Sequence, residues 1–379
     1  MEAIVRSILR KPRDSSYTHA FGTPDARRAI ASHHSVPGLP LNPKHVIVTN
    51  GCSGALQLAL ASLLDPGTIL LVPQPGFPLY EEIAESQRAI VVKYRLDPNR
   101  NWECDMDHLE EIMRTKKHNV RAMVVNNPSS HGAVFTEEHL SRILDFALDH
   151  RLPIVSDEVY GNLTFGSHKF HPLSNIAARH GRKVPVITTS SLSKQFLVPG
   201  WRIGWLVFHD NIWGSLKNVQ AAAEKLARLQ HGVSHLQQSA ISTLLSPSTS
   251  GLASWRENLR KMLEDQARFL SSKLGACRGL KVLCPPQGSM YTILGLDLDR
   301  FDGIRNDVDF CHKLVREENV FVLPGSSFEV PGTIRVAFSA DKITLATAIQ
   351  RISSFCDRHD NQPTIARACG KILSTTDEN

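Results

Sequence analysis

The chain has no charge-free apolar run approaching the roughly 18 residues that a membrane-spanning helix needs. Its first sixteen residues, MEAIVRSILRKPRDSS, lack the apolar core and small-residue cleavage site of a secretory signal and read instead as a short basic amphipathic helix. Glu2 and Asp14 argue against an organellar address in the same stretch. Seven cysteines, an odd number without metal-type spacing, do not make a closed disulfide framework and suit buried thiols in a reducing compartment. The formal charge of +6 is not gathered into an Arg/Lys tract, so neither a nucleic acid nor a membrane is expected as partner. No internal repeat is present. A cytoplasmic protein handling small molecules is the expectation.

What is there is an ordinary globular composition, 42% hydrophobic and 21% charged over 379 residues, with room for two unequal domains. From about residue 45 to 210, short β-branched runs (HVIVTN, TILLVP, AIVVKYRL, RAMVVN, LPIVSD, VPVITTSS) alternate with longer helical patterns such as SGALQLALASLL and TEEHLSRILDFALDH. The runs lack period-two alternation, as strands do when helices cover both faces of a sheet, so the spacing predicts an α/β fold with an open, mostly parallel sheet. Beyond 210 come two long helical stretches, roughly 212–245 and 252–275, with a Ser-rich linker near Pro247. Short strands, a helix near 305–318 and a closing helix to about 358 then suggest a smaller α+β domain.

In sheets of this kind ligands bind beyond the carboxyl ends of the strands, so the residues after each run are the informative ones. Gly51, Cys52 and Ser53 open a helix after VIVTN, offering backbone N–H groups, a hydroxyl and the positive helix end to a phosphate; a simple N-cap role for Ser53 is the plainer alternative. Phe77 and Tyr80 follow LLVPQP, where an aromatic could stack on a planar ring or pack under a loop. Asp157 and Glu158 end LPIVSDE, with Tyr160 close behind: a carboxylate there, stabilised by a positive partner, could hold a ring nitrogen protonated, and a phenol could bond a ring oxygen. After VPVITT stands SSLSKQFLVPGWRIGW, in which Lys194 lies among small hydroxyl residues and eight positions before Arg202. A lysine withdrawn from water beside another cation becomes a neutral amine that can form an imine with a carbonyl. Arg202 would grip the same phosphate, and Ser191 and Ser193 would add hydroxyls. A strand-end lysine reaching solvent is the bland reading, but it leaves the aspartate, the tyrosine and the phosphate cup without a common purpose. Together these groups point to pyridoxal 5′-phosphate.

The blocks VTNGCSGAL, PQPGFPLYEEIAES, SDEVYGNLTFGS, SSLSKQFLVPGWRIGW, PQGSMY and LPGSSFEVPGTIRVAFS, in this order, resemble the fold-type-I, class-I aminotransferases, the tyrosine aminotransferase branch in particular. The resemblance runs from about Tyr17 to Phe355. It implies that Lys194 holds the cofactor covalently and moves the substrate's α-proton, that Asp157 pairs with the pyridine nitrogen, Tyr160 with the ring hydroxyl, and that Phe77 stacks on the ring. Gly51, Cys52, Ser53, Ser191 and Arg202 would bind the phosphate, Tyr17 would reach the phosphate of a neighbouring subunit in a homodimer, and Arg335 would bind the substrate α-carboxylate. In NNPSSHGAVF, residues 126–135, Ser130 stands nearest the family's second loop asparagine; His131 beside it could substitute, although a lone exposed loop histidine is more often a bystander.

The implied domains are a shortened N-terminal segment of the small domain (1–35), a large cofactor domain (36–245), a small domain (246–360) and a loose tail (361–379). The implied reaction moves the amino group of an aromatic L-amino acid to a 2-oxo acid such as 2-oxoglutarate. A broader or alanine-type specificity, an elimination on the same cofactor, and a relative without turnover are the alternatives.

Overall fold

The computed structural model describes residues 17–36, 40–116, 118–179, 181, 183–210 and 214–361. The basic segment of residues 1–16 and all but the first residue of the expected loose tail therefore lie outside the described residues. The alternation between 45 and 210 folds as an eight-stranded sheet. Its strands are β1 (Val46–Asn50), β2 (Ile69–Gln74), β3 (Ile90–Asp97), β4 (Glu103–Cys104), β5 (Val120–Asn126), β6 (Ile154–Asp157), β7 (Val186–Ser191) and β8 (Ile203–His209). Their spatial order is β1-β8-β7-β6-β5-β2-β3-β4. Neighbours from β3 through β7 pair in parallel, whereas β8 runs antiparallel to both β7 and β1.

That direction change has a chemical consequence. The carboxyl ends of β1, β2, β5, β6 and β7 share one edge, and the amino end of β8 comes back to it, with Ile203 opposite Asn50 and Gly204 opposite Ser191. Arg202, just before β8, is thereby delivered to the strand-end edge that carries the other candidate residues.

Every residue of β6, β7 and β8 is buried. Successive residues of β1 point to opposite faces, as strand geometry requires: Ile47 joins one core with helices Gly51–Leu63, Leu79–Ser86 and Lys217–Leu229, while Val46 and Val48 join another with helices Pro24–His34 and His235–Leu245. Both faces are thus covered, which is why the strands read as unbroken apolar runs. Trp205 is fully buried in the second core and donates its indole N–H to His34 Nε2 at 2.9 Å.

The expected stretch 212–245 is two helices, Lys217–Leu229 and His235–Leu245. The break falls at His231 and Gly232, both at positive φ (54° and 83°), a conformation that no α-helix continues through.

The chain divides into two compact units, the first up to Met262 with Gln287–Ser289, the second Leu263–Pro286 with the residues from Met290 onward. The division falls later than the expected boundary after 245, and the described residues 17–35 of the segment expected in the small domain lie in the first unit. Helix Pro24–His34 belongs to the first unit because Ala26, Ile30 and Ala31 are buried against Val46, Val48 and Trp205. The 24-residue helix Leu252–Gly275 carries the chain across the division.

The second unit has a four-stranded antiparallel sheet, β9 (Leu280–Cys284), β10 (Tyr291–Leu296), β11 (Leu323–Pro324) and β12 (Thr333–Ala337), in the order β11-β12-β10-β9. Helices Asp307–Glu318 and Lys342–His359 meet through Phe310 and Phe355, edge to face at 5.1 Å. Among the described residues no helix is long and apolar enough to cross a membrane.

Candidate active site

The site begins where β1 turns into helix Gly51–Leu63. Gly51 has φ +73°, and its N–H donates to the Arg202 carbonyl at 3.0 Å. A Cβ at Gly51 would stand 2.4 Å from Arg202 Nη2, and one at Gly204 would stand 2.3 to 2.6 Å from the backbone of Gly51 and Cys52. Two glycines thus let β8 approach the turn closely enough to hold the guanidinium over the helix start. Arg202 Nη2 donates to Ser53 Oγ (3.1 Å) and Asn50 O (3.3 Å), and Nη1 to Pro199 O (3.0 Å). The first N–H groups of any helix have no intrahelical acceptor, so Cys52, Ser53 and Gly54 present theirs beside a fixed cation. The adjoining cleft has a volume of about 750 Å³ and is lined in part by Asn50, Ser53, Gln57, Glu82, Arg202 and Gln230. Such an arrangement suits an anion, and it is called the cradle below.

Asp157, at the end of β6, is buried. The sequence reading gives it a positively charged partner and a ring nitrogen it could hold protonated; among the described residues its side-chain donors are a phenol and a thiol. Tyr80 Oη donates to Oδ2 at 2.6 Å, Cys52 Sγ to Oδ1 at 3.5 Å, and the Val159 N–H to Oδ1 at 3.3 Å. Burial raises the carboxyl above its ordinary range, and these three bonds pull it back. Tyr80 is accordingly not an aromatic free to stack at the mouth: it is 1% exposed, its ring edge-to-face with Phe77 at 5.8 Å. Phe77 is exposed.

Glu158, next in sequence, is also buried and accepts from Ser156 Oγ (2.9 Å) and the Leu173 N–H (3.1 Å). Burial pushes it up to about 7 from an ordinary 4.5, against those two bonds. An acid raised on folding stabilises the native state most when protonated. Its contribution is complete below about pH 4.5 and is lost as pH rises to about 7. Glu158→Gln stays neutral throughout, so its stability relative to wild type should climb by about 3 kcal/mol between those limits. Urea melts of the two proteins across pH 5–8 would read that slope; parallel curves would refute a buried, proton-holding Glu158.

Lys194 is half-buried and lies in the four-residue helix Leu192–Gln195 that follows β7. Ser191, expected as a phosphate donor, is fully buried and caps this helix, its Oγ accepting the Ser193 N–H at 3.2 Å. Ser193 and Tyr160 are buried too. In the loop after β5, Asn126 rather than Ser130 is the organiser: its Oδ1 accepts the Ser130 N–H, and its Nδ2 donates to the carbonyls of Pro128 and Asp157. Sequence reasoning passed over Asn126, although an asparagine at a strand end before Asn-Pro is a turn signal. His131, expected to be exposed, is 3% exposed and packs on Trp102 with ring centroids 5.2 Å apart. Tyr17 is 98% exposed.

Arg335 lies on β12 of the second unit. Its Cζ sits 4.6 Å from the Tyr291 ring centroid and 5.1 Å from that of Phe328, and its buried Nε has no hydrogen-bond partner among the described residues. A guanidinium held between aromatic faces with a donor left over is prepared for an oxyanion.

The sequence family described as aminotransferase class I and II matches residues 1–352. The chain belongs to this family. Tyrosine aminotransferase of Dictyostelium discoideum is 35% identical over 354 residues, covering 93% of this enzyme and 83% of that relative. Tyrosine aminotransferase of Homo sapiens is 36% identical over 358 residues, covering 94% and 76%. The crystal structure of tyrosine aminotransferase from Leishmania infantum superposes with a TM-score of 0.85 at 29% identity, over 95% of this chain and 87% of that one.

The enzyme is an aminotransferase of the fold-type-I class, and its cofactor is pyridoxal 5′-phosphate. The residues fit that group: an anion cradle for a phosphate, a buried carboxylate for a ring N–H, and an amine at Lys194. Gly204→Ala tests the cradle, because the methyl would collide with the Gly51 and Cys52 backbone and displace the helix start. The expected outcome is a stability loss of about 1–3 kcal/mol by thermal melt, with phosphate affinity lost alongside. Undiminished phosphate binding by calorimetry would mean that the close approach is incidental to the anion site.

Proposed function

We propose that the enzyme transfers the amino group of an aromatic, tyrosine-like L-amino acid to a 2-oxo acid such as 2-oxoglutarate. The observation that carries the reaction is the Arg202–Ser53 cradle on the same sheet edge that bears Asp157 at the end of β6 and Lys194 just past β7. The aromatic preference is supported by the tyrosine aminotransferases at 35–36% identity. When bound, the cofactor supplies a carbonyl that takes up the amino group and a protonated ring that withdraws electrons.

The chain's own residues do the rest. The Lys194 amine holds the cofactor covalently, then takes the proton from the substrate's α-carbon and redelivers it. Asp157, as an anion, keeps the pyridine nitrogen protonated; Tyr160 donates to the ring hydroxyl, and the exposed Phe77 offers its face to the ring. Gly51, Cys52, Ser53 and Arg202 bind the phosphate, with Ser191 supporting from beneath as the cap of the Lys194 helix. Arg335 binds the α-carboxylate, and Ser130 lies in the loop that borders the substrate. Tyr17, fully exposed on its own chain, is read as reaching the phosphate of a second copy in a homodimer. A cytoplasmic enzyme is consistent with the six free cysteines among the described residues.

The test is the visible absorption of the purified protein with pyridoxal phosphate, followed by L-tyrosine, then 2-oxoglutarate, with glutamate quantified. A cofactor band that is lost on adding tyrosine and restored with stoichiometric glutamate supports the reading. A band indifferent to tyrosine but responsive to alanine would move the substrate class, and ammonia release without an acceptor would move the reaction to elimination.

A further inference from the structure

We infer that Tyr80 is a positioning residue that sets the ionisation and orientation of Asp157, and so tunes the grip on the cofactor's ring nitrogen through a side chain that does not touch the ring. The inference rests on the reading of Asp157 as the partner of that nitrogen.

Two of the buried tyrosines, Tyr94 and Tyr80, illustrate the difference between a structural and a functional phenol. Tyr94, on β3, is fully buried and donates to the Val124 carbonyl at 2.7 Å, which satisfies a backbone acceptor. Tyr80, equally buried, instead spends its only proton on a side-chain carboxylate at the strand-end edge, 77 residues away in sequence. At 2.6 Å this is in the range of a hydrogen bond to a charged oxygen, roughly twice as strong as a neutral one. The phenol stays a donor at all working pH values, because burial first and Asp157 next push its own ionisation well above the ordinary range.

The acceptor count sharpens the point. A carboxylate offers about four lone-pair sites. Tyr80, Cys52 and Val159 occupy three of them, two on Oδ1 and one on Oδ2. One further donor can be accommodated, and the three bonds fix the plane in which it must approach. The thiol of Cys52 is a weak donor at 3.5 Å, so Tyr80 carries most of the side-chain contribution. Other ionisable groups that bear on this cluster include Glu158 and Tyr160 from the loop after β6, and Arg202, which acts on the Cys52 thiol. Without the phenol, Asp157 would retain its proton to higher pH and lose its fixed orientation.

The experiment uses the full chain freed of cofactor and titrated with pyridoxal phosphate from pH 5.5 to 8.5, following protein fluorescence. Tyr80→Phe, Asp157→Asn, the double variant and Tyr94→Phe are compared, with thermal melts alongside. Tyr80→Phe keeps the ring and its packing. It should weaken cofactor binding about ten- to a hundredfold at neutral pH and move the acid limb of the binding curve to higher pH. The same change should do nothing further in the Asp157→Asn background. Tyr94→Phe should lower thermal stability without moving the limb.

If Tyr80→Phe retains the wild-type affinity and limb while Asp157→Asn weakens binding, Tyr80 only packs and the inference is wrong. If Tyr80→Phe and Tyr94→Phe weaken binding alike with unshifted limbs, the effect is general stability and the inference is equally wrong. If Asp157→Asn itself binds as wild type does, the reading of Asp157 fails first, a result distinct from either.

Discussion

Lys194→Ala is expected to lower kcat by at least about 10⁴-fold, because a positioned base alone contributes roughly 10²–10⁴ and the loss of covalent attachment adds to it. The substitution removes the amine from a helix held by other residues. Lys194 lies in a short helix whose start is capped by Ser191 and whose Leu192 is buried, so the backbone has no reason to move. The Arg202–Ser53 bond of the cradle is made by side chains that the substitution leaves in place. The variant should therefore still bind pyridoxal phosphate through its phosphate but lose the absorption band that depends on the lysine. Titration by fluorescence and the visible spectrum, recorded on the same sample, separate the two. A variant with normal fold that keeps both the band and appreciable turnover would remove Lys194 from the reaction.

The parts of this site that were legible in the sequence are those set by local pattern. β-branched runs bounded by turns marked the strands, and the residues that follow such runs converge on one edge in any parallel sheet. Gly51, Ser53, Asp157 and Lys194 could be named that way. Arg202 could be named from its spacing to Lys194, although the reason it reaches the edge is the antiparallel return of β8, which no spacing displays.

The partners of Asp157 were not legible. Tyr80 and Cys52 come from two different helices, and their bonds depend on how those helices seat on the sheet. A strand-end aspartate reads as the partner of a positive group, and the pattern around it does not display the neutral donors that also hold it. Three neutral donors do part of the same work here. His131 differs from its sequence reading for a similar reason: a polar residue in a Ser/Gly loop reads as exposed, and its packing against Trp102, 29 positions away in sequence, is not displayed by the local pattern. The helix break at Gly232 was hidden by a long favourable composition on both sides.

Arg335→Gln should reduce kcat/KM for amino acids by about 10²–10⁴-fold, since two charge-assisted bonds worth about 1.5–3 kcal/mol each would be lost. The loss should fall mainly on KM if the carboxylate is held equally in the ground and transition states. Stability should hardly change. Among the described residues Arg335 makes no ion pair that would be broken, and its Nε is already without a partner. What the protein does lose is the cation over Tyr291 and Phe328, a contact worth about 0.5–1 kcal/mol at a half-exposed position.

The control is chemical rather than mutational. An arylalkylamine such as tyramine has the ring and the amine but no carboxylate, so whatever slow turnover the wild type shows with it should be the same in Arg335→Gln. Equal losses for tyrosine and tyramine would mean that Arg335 supports the fold or the cofactor and does not select for amino acids. A loss confined to substrates that carry the carboxylate would identify the stacked guanidinium as the group that makes the enzyme choose an amino acid over an amine.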